Sequence, residues 1–288
     1  MRVSALCVYP VKGCAGVSLS TSAFTGRGLT HDREWCLVDA STGRFLTQRQ
    51  DGRLALVLPH FEANELVLCS ESVPQPLRIP LAPPPGQKLR SVSVWEWQGE
   101  AADEGDEAAA WLSAALPGRS LCLVRFLQDA QRPVDANFSP AGQTTRFSDG
   151  FPFLLLGEAS MSDLNSRLET PIPANRFRAN VAVSGAAPFA EDAWREITIG
   201  GHAFLNAKPC SRCKVPSIDQ ATGTDGLEPT ATLHTFRTGR TLSFESPHEK
   251  WAGSVFVGVN LLAADCTQTG VLRVGDAVTV LNTQEWRL

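Results

Sequence analysis

The stretch Val3-Ser4-Ala5-Leu6-Cys7-Val8-Tyr9-Pro10-Val11 runs directly into Lys12-Gly13-Cys14-Ala15-Gly16. Short apolar runs bounded by Gly, Pro or Asp are strand signals, and small residues after such a run let the backbone approach a ligand closely. The same grammar recurs at Glu34 to Val38, Leu54 to Leu58, Glu65 to Cys69, Val92 to Trp97 and Leu121 to Phe126, so each is expected to be a strand. Ile79-Pro80-Leu81-Ala82-Pro83-Pro84-Pro85-Gly86 is expected to be a surface loop, because its prolines remove ladder donors and fix the backbone. The Ala-rich segment Glu104 to Leu116, with Trp111, Leu112 and Leu116, fits one amphipathic helix ended by Pro117-Gly118.

A polar segment from Gln128 to Gln143 divides the chain into 1–127 and 128–288. Beyond it, Glu158 to Leu168 predicts a helix with Ser160 as N-cap, and Pro229 to Arg237 a short one with Pro229 in its first turn. Strands are expected at Asn180 to Val183, Ile197 to Ile199, Val255 to Leu262 and Ala277 to Leu281. The fold class is therefore β-dominated α+β, with a few short helices packed on the sheets.

At 288 residues the chain buries a core without needing staples. Its eight cysteines stand mostly alone in apolar runs such as Trp35-Cys36-Leu37-Val38, as buried free thiols do. The first residues are apolar over too short a span to cross a bilayer and show no cleavage region, so a reducing cytoplasm is expected. A net charge of -4 argues against a broad nucleic-acid-binding face, so any anion site must be local.

The sharpest local feature is Lys208-Pro209-Cys210-Ser211-Arg212-Cys213. Structural zinc needs about four ligands, and no second cysteine pair or closely spaced histidine pair supplies them. A redox pair belongs near a βαβ pattern, which is not evident. Two incidental thiols are the commonest state of cysteine, yet Lys208 and Arg212 flank these and favour thiolate. There remains a soft ligand for a metal held mainly by a cofactor. Arg33, Arg49 and Arg178 border apolar strands; each alone reads as a surface ion pair, and together they suit a phosphate.

Further stretches occur in a fixed order: Tyr-Pro-Val-Lys-Gly at 9–13, Asp32-Arg33 before Trp35, Thr47 with Arg49-Gln50, and Ser148-Asp149-Gly150-Phe151-Pro152-Phe153-Leu154. Glu158-Ala159-Ser160, Asp163-Leu164-Asn165, Phe177-Arg178-Ala179-Asn180, Phe189-Ala190-Glu191-Asp192 and Cys210-Ser211-Arg212-Cys213 follow. On these the chain resembles MOSC-domain proteins of the mitochondrial amidoxime-reducing component and bacterial YcbX type. The resemblance implies two packed β-barrel-like domains, a MOSC N-terminal domain over 1–127 and a MOSC domain over 128–288, with a cofactor between them and a Cys213 loop at its floor.

It also implies a molybdenum cofactor (a pterin dithiolene) whose metal takes the Cys213 thiolate, leaving Cys210 structural. Lys12, Gly13, Arg33 and Arg178 would hold the pterin and its phosphate, helped by Asn180, Ser211, Arg212 and backbone at Asp149, Gly150 and Phe151. The implied activity is reduction of small N-hydroxylated substrates (bases, amidoximes, hydroxylamines), a detoxifying reaction; family-level descriptions add pyridoxal phosphate binding. Gly13 stands where relatives can carry Ser, and Val255 where the mitochondrial relatives have a cofactor-facing Tyr. Some bacterial relatives carry a ferredoxin domain with closely spaced cysteines, whereas only Cys266 follows Cys213 here. No iron–sulfur cluster is therefore expected, electrons should come from a separate ferredoxin or flavoprotein reductase, and neither a membrane nor a nucleic-acid partner is expected. Two other classes remain: a non-enzymatic carrier that passes the cofactor or sulfur to other proteins, and a structural protein with an incidental cysteine pair.

Overall fold

The computed structural model describes residues 1–244 and 249–284. The first part of the chain gives β1 (Arg2–Val8), β2 (Val11–Lys12), β3 (Val17–Leu19), β4 (Thr21–Thr25), β5 (Gly28–Leu29) and β6 (Trp35–Asp39). Then come β7 (Leu58–Glu62), β8 (Glu65–Ser70), β9 (Val73–Pro80), β10 (Leu89–Val94), β11 (Trp97–Asp103), helix α1 (Asp106–Ala115) and β12 (Leu121–Phe126). The rest supplies β13 (Phe153–Gly157), α2 (Glu158–Ser166), β14 (Val181–Ser184), β15 (Trp194–Ile199), β16 (His202–Arg212), α3 (Thr230–Phe236), α4 (Glu249–Ala252), β17 (Val255–Ala263), β18 (Gly270–Arg273) and β19 (Val278–Thr283). The protein is β-dominated with curled sheets, as the sequence predicts.

An eight-stranded sheet runs β19-β15-β16-β17-β13-β14-β1-β3 and a five-stranded one β10-β11-β12-β6-β2, with three-stranded sheets β18-β4-β5 and β7-β8-β9. The opening residues thus serve both halves: β1 pairs with β14, β4 with β18, and β2, two residues past the end of β1, lies beside β6. The strand period explains β6: Trp35 and Leu37 face the core that α1 covers, while Cys36 and Val38 face a second core with Phe126 and Phe147. β12 is buried along its whole length; its apolar residues lie on the same two cores, and the one charge, Arg125, is paired with Glu104 at 2.7 Å.

Four expectations need correction. Leu54 to Leu58 is not a strand: Gly52–Leu56 form a 3-10 turn whose N-cap Asp51 accepts from the Arg53 amide, and a short apolar run does not by itself distinguish the two. Ile79 and Pro80 lie inside β9, where prolines are tolerated because β9 is an edge strand. Val92 to Trp97 is two strands joined by a tight turn at Trp95 and Glu96. Ser160 lies inside α2, not at its N-cap, and its buried hydroxyl bonds Glu191 at 2.7 and 2.8 Å.

Candidate functional site

Cys213, expected on a loop, stands at the first position beyond the eleven-residue strand β16, to which Cys210 and Arg212 belong. β16 reaches there beside β17, with register shifts between Asn206 and Lys208 and between Pro209 and Ser211. Those irregularities remove the alternation by which a strand is read. Cys213 is exposed and Cys210 half-buried, and all eight cysteines are free. Arg212 donates to Cys210 Sγ at 3.0 Å and to the Phe177 carbonyl. Lys208, expected beside the thiols, holds its ammonium 4.5 Å from the Phe138 ring centroid and 4.7 Å from that of Trp251.

Cys213 opens onto a cleft lined also by Lys12, Gly13, Arg33, Asp149, Gly150, Phe151, Arg178, Asn180, Ser211 and Arg212. The side chains do different work there. Lys12, at the end of β2, is buried and donates to the Phe147 carbonyl at 2.7 Å and to Asp149 Oδ1 at 2.6 Å. Burial pulls its ammonium below the ordinary lysine value, with Asp149 opposing that shift. Asp149 is largely exposed, and Lys12 at 2.6 Å, with Arg33 adding, holds its carboxyl well below the usual carboxylate range. Arg132, buried, donates to the carbonyls of Arg146, Ser148 and Asp149 and so fixes the loop that carries Asp149 and Gly150.

Arg33 and Arg178 both sit at positive φ, 47° and 58°, a costly backbone for long side chains that the fold over-determines here. Both guanidiniums lie over the fully buried ring of Tyr9, at 4.4 and 4.2 Å from its centroid. Arg33 bonds both oxygens of Asp32 at 2.7 Å and the Arg178 carbonyl at 3.0 Å. Arg178 differs: its Nη1 and Nη2 are buried with no hydrogen-bond partner. Burial lowers its pKa, since the charged form loses water, and the neighbouring Arg33 adds to the shift.

Asn180 lines the cleft but its amide is committed to backbone, accepting from the Leu154 amide at 3.1 Å and donating to the Cys7 carbonyl at 3.1 Å. It clamps β1, β13 and β14 together. Gly13, at φ +85°, offers its carbonyl to the Gln48 amide at 2.6 Å. Gln48 and Gln220 exchange two amide bonds of 3.0 Å across the cleft, below which Gly52 and Gly223 meet so closely that a Cβ on Gly52 would lie 2.0 Å from the Gly223 carbonyl oxygen. Gly150 has open space around its Cα, so only its backbone matters at that position. Val255 pairs with Arg212 across β16 and β17, is buried in a core, and takes no part in the lining.

The cleft also holds Arg49, which the sequence marks only as one arginine of a possible phosphate group, and residues it does not mark as site residues, including Gln48, Trp95, Ser148, Phe177 and Asn260. Arg49 carried a signal, as a third arginine bordering an apolar stretch. Trp95 did not, because a tight turn without Gly, Asn or Asp reads as continuous strand. Among the described residues no three His, Cys, Asp or Glu side chains converge, so a metal here must bring ligands of its own beyond one thiolate. Among those residues no helix is long and apolar enough to cross a membrane.

Comparison with known proteins gives this cleft a family. The MOSC N-terminal beta barrel domain matches residues 1–119 and the MOSC domain residues 142–279. The mouse mitochondrial amidoxime-reducing component 1 is 34% identical over 97% of the chain and 82% of its own length. Its human counterpart is likewise 34% identical with the same coverage. A rice molybdenum cofactor sulfurase is 31% identical over 82% of the chain, though over only 31% of its own length. With both domains matched in order, the chain belongs to the MOSC family, as a protein in which a MOSC N-terminal beta barrel domain precedes a MOSC domain.

Proposed function

We propose that the cleft holds a molybdenum cofactor and that the protein is a reductase of N-hydroxylated compounds, with the Cys213 thiolate bound to the metal. The observation that carries the reading is Arg178, whose buried, unpartnered Nη1 and Nη2 lie in the same cleft as the exposed thiol of Cys213. A buried guanidinium without an acceptor is costly, and a phosphate oxygen is the acceptor its fork fits. An exposed thiol at a strand end is the soft ligand a molybdenum centre takes. The relatives' names support the two halves of the reading, amidoxime-reducing component the reaction and molybdenum cofactor sulfurase the cofactor.

The bound cofactor supplies two-electron chemistry, by which an N-hydroxyl compound, two electrons and two protons become the N–H compound and water. The chain's residues do the rest. Arg178 and Arg212 would take the phosphate, with the Tyr9 ring orienting Arg178 and the Phe177 carbonyl orienting Arg212, while Asp32 holds Arg33 on the same ring and Arg132 fixes the backbone at Asp149 and Gly150 against the cofactor. Asp149 stays ionised and keeps the Lys12 ammonium at the wall of the cleft. Electrons would come from a separate ferredoxin or flavoprotein reductase.

The likeness to a cofactor sulfurase favours one second reading, a carrier that passes the cofactor or its sulfur onward. Turnover separates the two. Cofactor-loaded protein, given a reductase and an N-hydroxylated base or benzamidoxime, should form the reduced product; Cys213→Ala should lose both metal and turnover, and Cys210→Ala should keep both. Loaded wild-type protein that reduces no such substrate, yet restores an apo-molybdoenzyme, would replace the reductase with the carrier.

A further inference from the structure

The cations of the cleft are unevenly provided for. Lys12 has Asp149, Arg33 has Asp32, and Arg212 is tied to the Phe177 carbonyl and Cys210 Sγ. A phosphate monoester carries about −1.5 to −2 charges near neutral pH, which Arg178 and Arg212 together match. Arg49 is left over. It is exposed at the rim, and among the described residues it makes neither an ion pair nor a hydrogen bond.

Its position is nevertheless fixed. The guanidinium lies over the Trp95 ring, 4.4 Å from its centroid, a contact that places the charge while using none of its N–H donors. Trp95 in turn is anchored on two sides: its indole N–H reaches Asp149 Oδ1 at 3.3 Å, and its ring packs edge-on against Phe45 at 4.8 Å. It occupies the tip of the β10–β11 hairpin at φ 55°, a backbone that favours Gly or Asn and penalises a bulky side chain. A large ring held there at a local cost, 37% exposed and facing a cleft, is a platform for something planar.

Resting on the reading proposed above, we infer that Arg49 and Trp95 form the specificity shelf of the substrate site, selecting planar N-hydroxylated substrates that carry an oxyanion such as a carboxylate at the end remote from the N-hydroxyl. Trp95 takes the ring of the substrate and Arg49 the oxyanion. Charge-assisted hydrogen bonding at one guanidinium discriminates by about tenfold or more.

The test is a charge series on cofactor-loaded protein: 4-carboxybenzamidoxime, benzamidoxime and 4-(aminomethyl)benzamidoxime, compared by kcat/KM in wild type and Arg49→Gln. The anionic compound should be preferred in wild type, and the preference should shrink by about tenfold in Arg49→Gln, with molybdenum content as in wild type. A readout free of turnover accompanies it, calorimetric Kd values for 4-carboxybenzamidine and benzamidine on the same two proteins. Equal kcat/KM and Kd across the charge series would overturn the shelf while leaving the reductase intact. Loss of molybdenum from Arg49→Gln would also overturn it, by assigning Arg49 to the cofactor. If no amidoxime is reduced at all, the reductase reading falls, and the ratio of the two Kd values still decides whether Arg49 reads an oxyanion.

Discussion

Arg33 and Arg178 face the same cleft, sit at the same unusual backbone conformation and lie over the same tyrosine ring, yet their surroundings are opposite. Arg33 is bonded to both oxygens of a carboxylate that is itself 1% exposed. Arg178 has buried Nη atoms with no acceptor. Equivalent geometry with unequal pairing separates a cation that builds the wall from one that, on the proposed reading, receives the ligand. The same division runs through the cleft: Lys12 and Arg132 are spent on holding the loop at 146–149, whereas among the described residues Arg178 Nη1 and Nη2 have no hydrogen-bond partner and Arg49 no ion pair.

The sharpest way to break the contrast is Asp32→Asn. It leaves the Arg33 guanidinium uncompensated and weakens the bond of 2.8 Å that the Tyr9 amide donates to Asp32. Breaking a buried ion pair from one side costs about 3–5 kcal/mol, so urea unfolding should show a loss of that order. A loss below about 1 kcal/mol would make Arg33 as loosely held as a surface residue. Arg178→Leu should do the reverse. Removing an unpaired buried charge is expected to stabilise the cofactor-free protein by about 1–3 kcal/mol, while cofactor content falls sharply; destabilisation with the cofactor retained would mean that Arg178 belongs to the wall.

The smallest effect concerns Asp149. Its carboxyl titrates below the ordinary value of 3.8, so its contribution to stability is complete above that pH and is lost as the pH falls below it. Below about pH 4, wild type should therefore lose stability more steeply than Asp149→Asn, as followed by thermal melts across the acid range. Parallel acid profiles would show that the Lys12–Asp149 contact positions the loop without stabilising the fold.

The sequence made some of this legible and hid the rest for physical reasons. β6, β8, β12 and β17 are runs dominated by apolar residues, and buried strands have little choice but to look like that. β16 escaped because Lys208, Pro209, Ser211 and Arg212 belong to a strand interrupted by two register shifts, and its polar end is the part that reaches the cleft. The eleven residues expected at the site are brought round one cleft by strands far apart in sequence. Their order along the chain was visible only through resemblance to a family, since each basic residue alone reads as an ordinary surface charge. Their unequal roles were not visible at all. The locked amide of Asn180, the Asp32 partner of Arg33 and the open Arg178 all depend on which backbone groups the folded chain leaves unpaired.

The central claim is that this cleft binds a molybdenum cofactor through Cys213. Its most direct test is the molybdenum and pterin content of protein freshly isolated from a cofactor-producing host, for wild type and Cys213→Ala side by side. The account predicts near-stoichiometric metal in wild type that is lost with Cys213. Wild type without molybdenum or pterin, or metal that persists undiminished in Cys213→Ala, would contradict it.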